Sequence, residues 1–272
     1  MSTIDIIILL ISGCLGGFLA GLLGIGGGIV YVVLFSFYLE KLGFPQATLV
    51  PHIIANSLFA IFFGGLSGII KQSRNKNFFL KPVLITAIPA TLASIGITYF
   101  VNKGEWYSPT MFKVFFVCLL TLMAIKIFLF RKDEKIEKPE KTSTKKYFIT
   151  GFSGGLIAAL SGVGGGVIMV PFLTNFLQIK IRKATSISLG VIVVMAFFTS
   201  LYSFFAIPTR VEDIPFTFGL ISLPIVIPAA MGSLFGSPLG VTAAGKIKPE
   251  YIRLLFIFFI SLVIIRMVYK LW

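Results

Sequence analysis

Acidic residues are scarce in this chain. Ten Asp and Glu stand against 24 Lys and Arg, and charge of either sign makes up only 12% of the 272 residues. Soluble domains run at about 25% charged and about 45–50% apolar. Here the apolar share is 57% and the mean hydropathy +0.99, which excludes a soluble domain and makes the chain an integral membrane protein. Histidine occurs once, and cysteine twice, at Cys14 and Cys118, each within an apolar run. Neither cysteine has a C-x-x-C partner or a nearby ligand cluster, so disulfide and metal readings are both weak and no cofactor is expected. No apolar span carries two acids or a His–acid pair, which counts against an intramembrane enzyme. The nucleotide-binding pattern G-x-x-x-x-G-K-[ST] is missing as well, so coupled transport would draw on ion gradients or a partner. Residues 1–23 have no basic leader, Asp5 being their only charge, and do not read as a signal peptide. The net charge of +14 does not point to nucleic acid, because the basic residues sit in short loops between apolar spans.

What the sequence has in quantity is glycine, and two clusters repeat. Gly24-Ile25-Gly26-Gly27-Gly28 interrupts an apolar run over 4–39, and Gly162-Val163-Gly164-Gly165-Gly166 interrupts another over 147–177. Small residues precede both: Gly16, Gly17, Ala20 and Gly21 in one, Gly154, Gly155, Ala158 and Ala159 in the other. Glycine triplets are poor helix formers, since each residue loses much backbone entropy on ordering. In lipid, the N–H and C=O groups freed by such a break are tolerated only inside protein or beside a water-filled cavity. Paired breaks at corresponding places in two halves are the best pointer to a transporter's binding site.

The rest divides into spans of about 20 residues. They cover about 47–70, 82–101 and 111–130 in the first half, and about 184–205, 216–244 and 251–270 in the second. The halves align almost residue for residue. Gly24 falls on Gly162, Thr48 on Thr185, Pro89 and Ser94 on Pro228 and Ser233, and Lys113 and Lys126 on Arg253 and Arg266. Residues 1–130 thus read as a first transmembrane repeat and 147–272 as a second. Between them, 131–146 is a charged cytoplasmic linker with seven basic and four acidic residues. The loops at 71–81, 131–146, 180–183 and 246–248 are basic and belong inside, and the nearly balanced ones at 102–110 and 206–215 outside. The expected fold is an all-α polytopic membrane protein of two inverted repeats, with both termini external. Each repeat would be a glycine-broken re-entrant hairpin plus three transmembrane helices. The alternative is a broken helix that crosses once per half, giving a parallel four-plus-four arrangement with Lys180, Arg182 and Lys183 outside.

The paired breaks are followed by Ala47-Thr48 and Ala184-Thr185-Ser186, and then by Pro89-Ala90 and Pro228-Ala229. In this order they resemble the sulfite exporter TauE/SafE family of membrane transporters, over essentially the whole chain. The resemblance implies a secondary transporter, a permease or exporter of small sulfur-containing anions such as sulfite, thiosulfate or organosulfonates. Alternating access around the glycine breaks is the expected mechanism, and a prokaryotic inner membrane the expected location. A channel-like anion facilitator is the alternative. The expected partners are the substrate anion and membrane lipid, with a homodimer as a candidate assembly. One departure stands out: Val170-Pro171-Phe172 occupies the place of Val32-Val33-Leu34, so the limbs after the two breaks need not be equivalent.

Gly24, Gly26, Gly27 and Gly28, with Gly162, Gly164, Gly165 and Gly166, are the candidate substrate-binding residues. At a hairpin tip, the limb after each break starts with unpaired N–H groups, and helix N-termini attract anions through those donors and the dipole. Close helix packing through small residues is the competing reading. Valine at Gly27 or Gly165 is expected to abolish anion binding in a protein that still folds. Thr48, Ser161, Thr185 and Ser186 are candidate hydroxyl donors to the same anion, although Thr48 and Thr185 would equally serve as helix caps. His52, close to Asn56, is the candidate for proton coupling, with an ordinary pKa of about 6.5. A hydrogen-bonded histidine near the interface is the plainer reading. Pro89 and Pro228 should kink their spans beside Ser94 and Ser233. Lys113, Lys126, Arg253 and Arg266 lie near span ends, where long cationic side chains snorkel to the interface.

Overall fold

The structure is a computed structural model that describes residues 2–104, 106–129, 143–207 and 215–247, with eight further helical positions between 254 and 265. In order, the helices are α1 (Thr3–Leu23), α2 (Gly28–Lys41), α3 (Gln46–Arg74), α4 (Leu80–Lys103) and α5 (Pro109–Leu129). The second half follows with α6 (Thr144–Ser161), α7 (Gly166–Pro171) running on as a π-helical turn (Phe172–Phe176), α8 (Ile181–Phe205) and α9 (Leu223–Ala244). Two short strands, β1 (Thr217–Phe218) and β2 (Ile221–Ser222), pair antiparallel with Phe218 opposite Ile221. Helices α1, α3, α4, α8 and α9 are each long and apolar enough to cross a membrane. Among these, α3 and α8 are the most buried, and they form the middle of the protein.

Two boundaries differ from the sequence reading, each for a local reason. The span expected from 216 opens instead with the strand pair, because Phe216 and Gly219 hold positive φ of 60° and 55° and turn the chain. Pro224 then sits in the first turn of α9, where its missing N–H costs no hydrogen bond. The linker expected to reach 146 is shorter, since Lys145 and Lys146 already belong to α6. Most of that linker, the C-terminus after Trp272 and most of the last span lie outside the described residues.

Each glycine-broken run doubles back. In hairpin 1 (residues 3–41), Lys41 Nζ at the end of α2 lies 2.7 Å from Asp5 Oδ1 near the start of α1. Tyr38 donates to the same oxygen at 3.3 Å. In hairpin 2 (residues 144–176), Lys146 in the first turn of α6 sits 5.3 Å from the centroid of Phe176, where the π-helical turn ends. A kinked helix crossing once would carry these ends apart, so the broken-helix alternative does not describe the runs. The two mouths lie at opposite ends of α3. Hairpin 1 leads into the start of α3, while Asn77, just past its end, donates to the Arg182 carbonyl at 3.2 Å beside the exit of hairpin 2.

Packing is exchanged between the halves. Helix α1 lies along α9, and α6 lies along α4. In the first pair both helices carry glycine every fourth residue: Gly13, Gly17 and Gly21 face the backbone of Ala229, Ser233 and Ser237, and Gly232, Gly236 and Gly240 face that of Leu10, Cys14 and Phe18. Without a side chain the backbones come into direct contact, the packing that drives helix association in lipid. In the second pair Gly151 and Gly155 press on the carbonyls of Thr86 and Ala90.

Candidate functional site

The two glycine breaks meet between α3 and α8. Gly24 ends α1 in the left-handed conformation (φ 69°), its N–H bonded to the Ala20 carbonyl at 2.8 Å. Gly162 ends α6 in the same way, with φ 69° and a 2.8 Å bond to Ala158. Gly26 and Gly27 follow with φ of 98° and 70°, and Gly164 and Gly165 with 91° and 73°. Residues with a Cβ pay for such angles, which is why this stretch is glycine. Gly28 and Gly166 have ordinary φ, and there the reason is proximity. A Cβ on Gly28 would stand 2.5 Å from Val163 Cα, and one on Gly166 2.7 Å from the Gly24 oxygen. The two breaks therefore cross in backbone contact. Gly16, Gly17, Gly154 and Gly155 are packing residues as well. Gly16 makes room for the Tyr31 ring and Gly154 for Met169, while Gly17 and Gly155 press on Ser233 and Ala90.

This geometry supplies donors. Gly27 and Gly165 stand at the N-caps of α2 and α7, and neither helix start is capped by a side chain. The N–H groups of Gly26, Gly27 and Gly28, and of Gly164, Gly165 and Gly166, meet no acceptor among the described residues. Six buried peptide donors on two crossing strands of chain are the chemistry an oxyanion requires, charge-assisted acceptance by fixed N–H groups. The same packing alters the expectation for valine at Gly27 or Gly165. A Cβ there would collide with the Gly16 or Gly154 carbonyl of its own hairpin, so valine would strain the hairpin itself. The roomier positions are Gly26 and Gly164, whose added Cβ would meet its nearest neighbour at 3.2 Å.

Of the candidate hydroxyls, Thr185 is brought to a break: its Cα would lie 2.8 Å from a Cβ on Gly24. The other break rests further along α3, past Thr48, against Ile54 and Ser57. Thr48 and Thr185 behave alike locally, donating to the carbonyls of Pro45 (3.3 Å) and Arg182 (3.1 Å) three residues back. Ser186 donates to the Asn77 carbonyl in the α3–α4 loop and so faces away from the breaks. Ser161 stabilises the bend after α6, donating to Ile157 at 2.6 Å and accepting from the Val163 N–H at 3.2 Å. His52 is buried, with Nδ1 2.8 Å from the Thr48 carbonyl and its ring 4.7 Å from that of Phe44. Asn56, one turn on, pins the strand pair to α3 by donating to the Leu220 carbonyl (3.1 Å) and accepting from the Ser222 N–H (2.9 Å).

Three residues of the site escaped the sequence reading. Ser57 on α3 donates to the Gly162 carbonyl at 2.6 Å, and Ser188 on α8 donates to the Gly24 carbonyl at 2.9 Å. Each half thus grips the break of the other. They fall at non-matching places in the threonine alignment, so matching the two halves did not bring them out. Tyr31, three residues into α2, spans the centre by donating to Gly13 O (3.1 Å) and Ser233 Oγ (2.8 Å). Pro89 and Pro228 do lie inside α4 and α9, and the equivalent Ser94 accepts from Thr199 at 3.0 Å. One turn further, Thr98 and Ser237 bury hydroxyls with no partner among the described residues. At the far end of α6, Tyr107 donates to the Leu160 carbonyl at 2.7 Å, and burial pushes its phenol above the ordinary value. Lys113 lines a small surface cleft with Glu40, whereas the side chains of Lys126, Arg253 and Arg266 lie outside those described.

Compared with known proteins, residues 9–267 match the family model described as sulfite exporter TauE/SafE. The chain belongs to the sulfite exporter TauE/SafE family. Similar proteins include one from Methanocaldococcus jannaschii, 26% identical over 250 residues that cover 91% of this chain and 90% of that one. Another, from Haemophilus influenzae, is 29% identical over 268 residues, 97% of this chain and 98% of its own. Both carry the name "probable membrane transporter protein". No solved structure matches this TauE/SafE protein. Family and relatives make it a membrane transporter, not an enzyme.

Proposed function

We propose that this TauE/SafE transporter moves a small sulfur oxyanion or organosulfonate by alternating access around its crossed glycine breaks, as a secondary transporter of the prokaryotic inner membrane. The observation that carries the reading is the set of six buried, acceptor-free N–H groups at Gly26–Gly28 and Gly164–Gly166. Such donors bind an anion without a buried cation. Thr185 and Ser161 stand next to the breaks and can add hydroxyls. Thr48, Ser186 and His52 act through the helices that carry them, His52 as the candidate for proton coupling.

The two halves are inverted repeats in this reading. Reciprocal packing of α1 on α9 and α6 on α4, and hairpin mouths at opposite ends of α3, support it. The basic loop ends around Asn77 and Arg182 face the cytoplasm, and a homodimer is the candidate assembly. The test is a thermal-shift panel of sulfite, thiosulfate and a short alkylsulfonate on purified protein and on Gly26→Ala and Gly164→Ala. Either substitution carries a positive-φ penalty of roughly 1–2 kcal/mol yet leaves the hairpin contacts in place. The parent should be stabilised by at least one anion and both variants by none. Full anion stabilisation of both variants removes the site. Uptake into proteoliposomes that fails to saturate would favour the channel-like facilitator.

A further inference from the structure

One pair of side chains walls the crossed breaks. Ile61 on α3 and Ile192 on α8 are both fully buried. Each stands four residues after the serine that grips the opposite break, Ser57 or Ser188, so the pair holds equivalent places in the two halves. Both isoleucines reach both breaks. A Cβ on Gly26 would lie 3.4 Å from Ile61 Cγ2 and 3.6 Å from Ile192 Cδ1, and one on Gly164 would lie 3.2 Å from Ile61 Cδ1 and 3.6 Å from Ile192 Cγ2. Ile192 Cδ1 also comes within 2.8 Å of a Cβ on Gly166, and the Val163 oxygen within 3.2 Å of one on Gly26. The middle glycines of the two breaks thus have methyl groups and a carbonyl for neighbours. A β-branched side chain has few rotamers open to it, so these methyls do not swing aside freely.

We infer that Ile61 and Ile192 are the specificity-determining residues of the proposed anion site, admitting anions with three oxygens and one apolar or soft apex and excluding sulfate. The inference rests on the reading of the breaks as an anion site and names what that site rejects. Sulfite, thiosulfate and an alkylsulfonate share a pyramid of three oxygens on sulfur. They differ in the fourth position, which is a lone pair, a sulfur or a carbon. Such an anion can turn its oxygens to the peptide N–H groups and its fourth position to the isoleucines. Sulfate carries a fourth oxygen, which would face methyl groups and find no donor, and a buried charged oxygen without a donor is costly. Thiosulfate and sulfate have the same charge and nearly the same shape, so electrostatic attraction alone does not separate them. An apolar wall does. Rejection of one added polar atom by an apolar surface is on the order of 10- to 100-fold.

The experiment measures, on the purified full chain, the anion concentration that gives half the maximal thermal shift. Sulfate, thiosulfate, sulfite, methanesulfonate and ethanesulfonate are compared on the parent, Ile61→Val, Ile192→Val, Ile61→Thr and Ile192→Thr. The parent should hold thiosulfate at least about tenfold more tightly than sulfate. Threonine has the shape of valine and a hydroxyl that can donate. Each threonine variant should therefore bring sulfate to within about threefold of thiosulfate, while each valine variant keeps the parent ratio. Valine also lacks the Cδ1 methyl that stands at the breaks, so the valine variants should gain ethanesulfonate over methanesulfonate by about threefold or more. Equal affinity of the parent for thiosulfate and sulfate overturns the inference, as do threonine variants that keep the parent ratio. Should a threonine variant not fold, the valine variants decide: an unchanged ratio of ethanesulfonate to methanesulfonate in both overturns it. Gly26→Ala, run beside them, separates the wall from the site. Anion stabilisation that Gly26→Ala abolishes, together with no discrimination against sulfate in the parent, removes the wall and leaves the glycine site standing. A parent stabilised by none of these anions removes both.

Discussion

The pair α1–α9 and the pair α4–α6 hold the same place in the two halves, yet they are built differently. Along α1–α9 both helices present glycines, six in all, and backbone meets backbone on both sides. Along α4–α6 the glycines come from α6 alone, and α4 offers Pro89, Ala93 and Ile97 where α9 has Gly232, Gly236 and Gly240. The hairpins differ in the same sense. Hairpin 1 has a regular descending helix and closes its mouth with an ion pair, while hairpin 2 descends through a π-helical turn after Pro171 and closes with a cation over a ring. The two places share an arrangement and differ in how closely the backbones approach.

The sharpest break in that comparison is at Gly236. A Cβ there falls on the Cys14 carbonyl, and overpacking of this kind costs about 1–3 kcal/mol. Gly236→Ala should lower the melting temperature by about 5–10 °C, and Gly236→Leu should give no monodisperse protein on size exclusion. Ile97→Leu, at the place on α4 that matches Gly240, one turn further, should move the melting temperature by less than about 4 °C. Equal losses at the two places would end the distinction between the interfaces.

A smaller effect separates the hairpin centres. Tyr31→Phe removes the donor to Gly13 and Ser233 and leaves their buried oxygens unserved, worth about 1–3 kcal/mol. Met169→Leu in the matching pocket beside Gly154 should cost less than about 1.5 kcal/mol. Chemical unfolding of both variants checks the order.

Pro171→Val gives hairpin 2 the residue found at the matching Val33. Proline has no N–H and crowds the preceding turn, so valine should convert the π-helical turn to regular α-helix. Stability should stay within about 2 °C, while proteoliposome uptake should slow severalfold if compliance there serves transport. Unaltered uptake would make the π-helical turn incidental.

The smallest difference is at the mouths. Lys41→Met and Lys146→Met should each lower the melting temperature by less than about 3 °C. They part company in salt: raising ionic strength to about 1 M should weaken the Asp5–Lys41 closure and leave the Lys146–Phe176 contact nearly unmoved. A salt effect of equal size in both would argue that neither contact holds its hairpin.

Much of this was legible in the sequence because it rests on local rules. Glycine triplets broke the helices at Gly24–Gly28 and Gly162–Gly166, and apolar length gave α3, α4, α5 and α8 within a few residues. What stayed hidden depends on partners remote in the chain. The spacing of Gly232, Gly236 and Gly240 is a small-residue ladder that any reader can count, but nothing local says that α1 is its complement. Ser57 and Ser188 look like ordinary buried hydroxyls until the breaks of the opposite halves arrive at them. The strand pair at 217–222 was lost inside an apolar run, since Phe216 gives no sequence hint of its positive φ.

Exchanged packing also has a consequence for synthesis. Helix α1 leaves the ribosome well before α9, which covers its glycine face and begins about 200 residues after α1 ends. At roughly 5–20 residues per second, α1 waits on the order of 10–40 s with its ladder against lipid or the insertion machinery. Residues 3–129 thus leave the glycine face of α1 uncovered on their own. A chain stopped after residue 130 should be degraded in the membrane, and supplying 131–272 as a separate chain should rescue it, because α1 finds the cover for its glycine face only in α9.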